Sequence, residues 1–471
     1  MGTHYRDCTY NIAVSLAELR VKIENLHLLF LVYLLQENSL NLKKSKKADL
    51  TNSLLKILDK EDIVTCDDDS PGRCPHVQSD AIIVDLMSIL RKLSSVELSA
   101  VTTFGSLCDT LLRVIQSYGS KSDEIHIIME NYKHISIKSA ERRNRQESIG
   151  KLCHVQSDEQ PLPIMDDFYS RLENKISLQH FFVNYCFRHY TSSKPLYIAG
   201  GLEGDPKRCS LIVSGIVREA SFYRSSHEEA DDRMMFSIQQ IYLRIRISKS
   251  TPTIIVVTPD ADIFIGLLYH LKNTWQDTNL YMLKKGKIKI TKKYQKELYP
   301  LHLLIPKLDP HIIDNLPAGH SLTGCDTVAK VGTKTDLLKA LKYHHILIDG
   351  FGKDRMDGDT ISSAEKCLVK VVVSRKNESD CTTFNELRVK QYQQSMKKKF
   401  VDLPCTSNAI QQNIKRAYLQ TKLWLESPFG NIAETMDPNE YGHIIDLNSN
   451  LVDPLLFIGP ARPVVGMYVR M

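Results

Sequence analysis

Seven acidic residues stand where their carboxylates can act together: Asp85, Glu130, Glu229, Asp231, Asp260, Asp262 and Asp326. Asp85 ends the apolar run Ala81-Ile82-Ile83-Val84, and Glu130 ends Ile125-His126-Ile127-Ile128-Met129. Glu229 and Asp231 lie in Ser225-Ser226-His227-Glu228-Glu229-Ala230-Asp231-Asp232-Arg233. Asp260 and Asp262 follow Thr253-Ile254-Ile255-Val256-Val257-Thr258, and Asp326 sits in Leu322-Thr323-Gly324-Cys325-Asp326-Thr327. Neighbouring carboxylates repel unless they share a cation or a proton. Hard divalent ions want oxygen ligands, and Mg²⁺ combines carboxylates with waters and substrate phosphates. An acid cluster suits two such ions roughly 4 Å apart, one acidifying an attacking water and both stabilising oxygens at phosphorus. The residue types therefore point to one or two Mg²⁺ or Mn²⁺ ions and to phosphoryl chemistry. No Gly-x-Ser-x-Gly, Walker loop or Gly-x-Gly-x-x-Gly supports acyl transfer or a nucleotide cofactor, and no small organic cofactor is expected.

Each acid also has a local reading. Ser226 is a good N-cap and Glu229, three residues on, completes a capping box, while any first helical turn attracts acids through the dipole. Asp260 and Asp262 face one way if strand geometry continues, or cap a helix from a solvated turn. The elements around them alternate between strand and helix. Strands are expected at 81–85, 125–130, 196–199, 211–213 and 253–258, with helical stretches between them, Leu86 to Leu93 among these. That alternation predicts an α/β domain with a mainly parallel sheet, in which ligands bind beyond the carboxyl ends of the strands. Three of the runs meet an acid at that end, which suggests a shared site.

The chain has 471 residues, 42 % hydrophobic and 25 % charged, which excludes collagen, mucin and wholesale disorder. At roughly 150 residues per domain it holds about two to four domains. A net charge of +6 is too small to argue for nucleic acid without its distribution. No apolar run approaches the ~18 residues of a membrane span, so no membrane partner is expected. Asp7, Glu18 and Arg20 break up the start, so no signal peptide is expected either. The eleven cysteines then read as reduced thiols. Cys66, Cys74 and His76 lack a second ligand pair at zinc-finger spacing.

Residues 1–75 read as an N-terminal helical segment, with Leu16, Leu19, Ile23, Leu26 and Phe30 at helical spacing. Its basic tract Lys43, Lys44, Lys46 and Lys47 reads first as a solvated stretch and second as a nuclear-import signal; an intracellular location, nuclear rather than cytoplasmic, is expected. Residues 76–345 form the α/β domain and 346–471 a mixed region. In the latter, Leu368 to Val373 is expected as a strand and Asn408 to Trp424 as a helix capped by Ser407. An irregular tail follows, with Pro454, Pro460 and Pro463.

The order of motifs resembles the PIN-like, flap-endonuclease-type 5′-nuclease superfamily. Within that likeness it resembles multicopy, mobile-element-associated animal proteins that carry SIK-x-x-ER, HEEAD, PDTD-like and LTGCDT segments. Here these read Ser136-Ile137-Lys138 with Glu141-Arg142, His227 to Asp231, Pro259 to Asp262, and Leu322 to Thr327. The resemblance implies a PIN-like three-layer fold and a metal-dependent nuclease acting on DNA or RNA. It makes Asp85, Glu130, Glu229, Asp231, Asp260, Asp262 and Asp326 the metal ligands. It makes Lys138 and Arg142 the catalytic charge stabilisers, with Arg143 and Arg145 beside them on the substrate. Two departures accompany it: Glu130 stands where the family usually has Asp, and Val328-Ala329-Lys330-Val331-Gly332-Thr333-Lys334 lacks the first glycine of the family's duplex-gripping hairpin. They carry an alternative reading, a catalytically inactive relative serving as a nucleic-acid-binding or protein-interaction scaffold. Lys330 and Lys334 of that segment are expected phosphate contacts. So are Lys284, Lys285, Lys287, Lys289, Lys292 and Lys293, on a hairpin where Ile288 and Ile290 alternate with lysines. A basic strand face makes binding salt-dependent; the alternative is an edge strand that lysines protect from aggregation.

Overall fold

The computed structural model describes residues 42–67, 77–93, 97–132, 136–138, 150–287, 294–344, 348, 350–353, 355–373, 380–394, 403–446 and 451–455. The expected helix around Leu16 to Phe30, Cys74, His76, Arg142, Arg143, Arg145, Lys289, Lys292, Lys293, Pro460 and Pro463 lie outside these residues. The chain divides into two compact units: Lys47–Pro317 with Gln420–Met436, and Met1–Lys46 with Ala318–Leu419 and Asp437–Met471. The expected divisions at 75/76 and 345/346 do not coincide with these units.

The first unit is α/β and holds a nine-stranded sheet. Its strands are β1 (Val64–Asp67), β2 (Ser79–Asp85), β3 (Ser122–Ile128), β4 (Leu196–Ala199), β5 (Cys209–Val213), β6 (Ile216–Glu219), β7 (Thr253–Val257), β8 (Asn279–Lys287) and β9 (Tyr294–Pro300). They run across the sheet in the order β1-β9-β8-β7-β2-β3-β4-β5-β6. The central strands β8, β7, β2, β3 and β4 are parallel to one another. The flanks are antiparallel, β9 and β1 on one side and β5 and β6 on the other. The sheet is therefore mixed, parallel only at its centre: β8–β9 and β4–β5–β6 turn back as sequential antiparallel pairs, and β1 adds to β9 from far away in sequence.

Burial explains the central runs. Ala81, Ile82, Ile83 and Val84 are fully buried, as are most residues of β7, since helices cover both faces. Ile82, Val84, Ile125, Ile127, Ile255 and Val257 pack against Phe104–Tyr118 and Leu172–His189. Helices Ala230–Arg246 and Ala261–Asn273 form the layer behind, the former against β2 and β3. They are tied together where Trp275 Nε1 donates to Gln239 Oε1 at 2.6 Å.

Residues 48–67 do not stand apart from this unit. Helix Ala48–Leu55 buries Leu50, Leu54 and Leu55 and packs on Ala261–Asn273. Strand β1 pairs with β9, Val64 opposite Leu298. In the hairpin of β8 and β9, Lys296 is buried with its ammonium 4.8 Å from the centre of the Tyr118 ring. Lys285 and Lys287 belong to β8, but their side chains fall outside the described residues.

In the second unit, Leu368 to Val373 is helical, within Gly358–Val373. Ala364, Cys367, Leu368 and Val371 are all buried, and their spacing is that of one helix face. Helix Ser407–Glu426 begins at Ser407, and the expected cap role falls to Thr406, whose Oγ1 accepts from Ala409 N at 3.4 Å. Ser407 Oγ instead donates to Glu365 Oε1 at 2.6 Å. Leu451–Pro454, expected as irregular tail, pairs with His443–Asp446 in a two-stranded antiparallel sheet.

Candidate metal centre

The sheet order sets β7, β2 and β3 side by side and parallel, so their carboxyl ends share one edge. Asp85 is the last residue of β2 and caps the short helix Leu86–Leu90, accepting from Met87 N at 2.9 Å. Glu130 follows β3 by two residues. Asp260 caps Ala261–Asn273, accepting from Asp262 N at 2.8 Å. Strand geometry thus ends at Val257, and Asp260 and Asp262 converge through a helix start rather than along a strand face. Glu229 is the N-cap residue of Ala230–Arg246, with Asp231 and Asp232 in the first turn. The capping box from Ser226 does not form, because the helix starts too late for it. Ser226 Oγ accepts from Asn431 Nδ2 at 3.2 Å instead.

These starts bring ligand oxygens of Asp231, Asp260 and Asp262 within 4.8 Å of one another. Burial, then repulsion from Asp260, Asp262 and Glu229, pushes the Asp231 carboxyl well above its ordinary range, against the opposing pull of Lys138. Burial, then Glu130 and more weakly Asp260, raises Asp85 to about 7, although Met87 N and Ser88 N favour its charged form. Six of the seven expected acids therefore form one electrostatic patch. Asp326 belongs to the other unit, on the loop after helix Pro310–Leu322. That loop needs Gly324, whose φ is +109° and whose Cβ would meet Lys330 Cα at 2.8 Å. Lys330 is half-buried there, and its N–H donates to Lys43 O at 2.7 Å.

Two members of the patch, Asp232 and Lys47, and a residue that supports it, Arg233, escaped sequence reasoning. Asp232 is raised to about 7, by burial first and then by Glu229, Glu228 and Asp262 against Lys138. Its Oδ1 is buried without a hydrogen-bond partner among the described residues. Lys47 Nζ lies 2.7 Å from Asp262 Oδ2. Arg233, almost fully buried, donates to Pro206 O at 3.2 Å, Ser225 O at 3.3 Å and His227 O at 2.8 Å, fixing the loop that carries Glu229. Two expected basic contacts sit differently from expectation. Lys138 Nζ is paired with Glu229 Oε2 at 2.6 Å. Lys334 is not a surface lysine: it is buried, donating to His320 O at 2.5 Å, Thr323 Oγ1 at 2.9 Å and Gly324 O at 2.7 Å, which holds the glycine loop shut. Lys284 is half-buried and donates to Asn52 Oδ1 at 3.1 Å.

A donor set made wholly of carboxylates, with the Asp231 carboxyl pushed up by the repulsion of its neighbours, fits a hard divalent cation. The raised values also fix a pH dependence for the metal-free protein. Asp85 and Asp232 hold protons when folded that the unfolded chain releases near its ordinary value of 3.8. The stability they contribute is complete below that value and is lost as pH rises through about 7. His270 and His443, depressed to about 4 and about 3 chiefly by burial, act oppositely, because the unfolded chain loses its histidine protons near 6.5. The acids are therefore read against a variant that keeps both histidines: between pH 6.5 and 8 metal-free wild type should lose more stability than Asp85→Asn/Asp232→Asn. Parallel calorimetric profiles for the two would contradict the buried-acid account.

Among the described residues no helix is long and apolar enough to cross a membrane. No protein-family model matches the chain, and no curated protein matches it.

Proposed function

We propose that the chain is a divalent-metal-dependent nuclease that hydrolyses phosphodiester bonds of structured DNA or RNA on a PIN-like fold. One observation carries this reading: three neighbouring parallel strands and two helix starts deliver their acids to one sheet edge, where three ligand oxygens lie within 4.8 Å. In α/β sheets that edge is where ligands bind. Mg²⁺ or Mn²⁺, when bound, supplies the positive charge that draws in a phosphate and offsets charge developing at its oxygens. Asp231, Asp260 and Asp262 hold it, and Asp85, Glu130 and Glu229 border them. Lys138, at 2.6 Å from Glu229, is the chain's own cation for charge on the scissile phosphate. The lysine-bearing hairpin of β8 and β9 serves the nucleic-acid backbone, and the nucleus is the place of action.

Labelled flap, duplex and single-stranded DNA and RNA, incubated with purified protein in Mg²⁺, Mn²⁺ or EDTA, test the reading. Cleavage in metal and none in EDTA is expected. Folded protein that binds these substrates but cleaves none of them would instead favour the inactive scaffold.

A further inference from the structure

We propose that Lys47 is a built-in counter-cation of the acidic centre, which a divalent ion must displace from Asp262 before the centre loads. The inference rests on the metal reading above and adds to it a residue that sets the metal concentration required.

The Lys47 ammonium lies 2.7 Å from Asp262 Oδ2, with the two side chains only 19 % and 5 % exposed. Such a pair is less screened than a surface one. Its placement is built into the fold. Helix Ala48–Leu55 begins at the residue after Lys47 and packs, through buried Leu50, Leu54 and Leu55, on the helix that carries Asp262. The bond from Lys284 Nζ to Asn52 Oδ1 ties the same short helix to β8. Lysine and aspartate are thus presented to each other by two packed helices, and little further ordering is needed for them to meet.

Asp262 is one of the three residues whose ligand oxygens converge, and it also repels Asp231 and Asp232. An ammonium seated on it removes part of the negative charge that would attract a metal ion. A divalent ion arriving within a few ångströms meets that ammonium as a like charge. Either the lysine leaves or the ion binds less tightly. Wild-type protein should therefore load at higher metal concentration than the carboxylates alone would require, and loading should free the Lys47 amine.

Two measurements on the full chain decide this. The first is titration of Mn²⁺ into wild type, Lys47→Gln, Lys47→Arg and Asp260→Asn/Asp262→Asn by isothermal calorimetry. Lys47→Gln should bind at least tenfold more tightly than wild type, and Lys47→Arg, which keeps the charge, should match wild type. Equal or weaker binding by Lys47→Gln, with wild type binding normally, overturns the role of Lys47 and leaves the metal centre standing. Absence of Mn²⁺ binding in both wild type and Lys47→Gln overturns the metal reading and this inference with it. The second measurement needs no variant: acetylation of Lys47 by acetic anhydride, followed by mass spectrometry, should rise severalfold when Mn²⁺ saturates the protein. Unchanged or reduced labelling at saturation overturns displacement.

Discussion

Replacing Asp260 and Asp262 together by asparagine is expected to lower metal-dependent cleavage by more than about a hundredfold while leaving the protein folded. Loss of one preorganised charge-stabilising group already costs about 10²–10³ in rate, and this double change removes two of the three convergent ligand residues. Asparagine is chosen because it keeps the local structure. At 260 its amide oxygen can still accept from residue 262 N, where Asp260 Oδ1 now does so at 2.8 Å, and Asn caps helices as well as Asp. Repulsion on Asp231 falls as well, since Asp260 and Asp262 are the chief carboxylates raising it. The Lys47 ammonium loses its carboxylate partner at 262, which works against that gain, so the variant should melt close to wild type without metal, and Mn²⁺ should no longer raise its melting temperature. Cleavage within tenfold of wild type, in a folded variant, would place the chemistry elsewhere.

Arg233→Ala should have the largest effect on stability, about 3–5 kcal/mol. The guanidinium is 1 % exposed, and burial lowers its pKa to about 10, yet it remains the donor to three backbone carbonyls. Truncation leaves those carbonyls unpaired at about 1–3 kcal/mol each and opens a cavity beside Ala230–Arg246. Lysine should not rescue it, because one ammonium cannot reproduce a planar fork. Gly200→Ala should act through the same residue: φ there is +92°, and a Cβ would lie 2.3 Å from Arg233 Nη1. Chemical denaturation measures both variants. Arg233→Ala within 1 kcal/mol of wild type would show that the carbonyls find other donors. Since Ser225 O and His227 O sit in the loop leading to Glu229, cleavage should also fall under conditions where the variant is still folded.

The central strands were legible because burial on both faces demands continuous apolar runs, and Leu196–Ala199 and Thr253–Val257 stand where such runs do. The same kind of run misled at Leu368 to Val373, where residues buried at helical spacing extend back to Ala364. Strand β1 was hidden for the opposite reason: Val64-Thr65-Cys66-Asp67 is an edge strand without an apolar signature, and its partner lies far away in sequence. Among the acids, the strand ends announced themselves. Asp232 did not, because one more acid in the first turn of a helix reads as ordinary dipole stabilisation. Lys47 could not be found, since an ion pair with a residue 215 positions away leaves no local pattern. Lys334 read as surface because lysine usually is, whereas here the loop around Gly324 supplies oxygen acceptors that only a buried donor satisfies.

The pairing of β1 with β9 also orders events during synthesis. Residues 64–67 leave the ribosome long before residues 294–300, so the sheet cannot be closed on that side until most of the unit has emerged. Until then β2 and β3, whose parallel pairing needs only the intervening helix Phe104–Tyr118, can form while β7 and the strands beyond it are awaited. The nascent chain spends that interval with an open parallel edge at β2, a state prone to wrong pairing. Its safe maturation therefore depends on how quickly translation delivers β7, and a pause between residues 130 and 253 should be more hazardous to yield than one after 300.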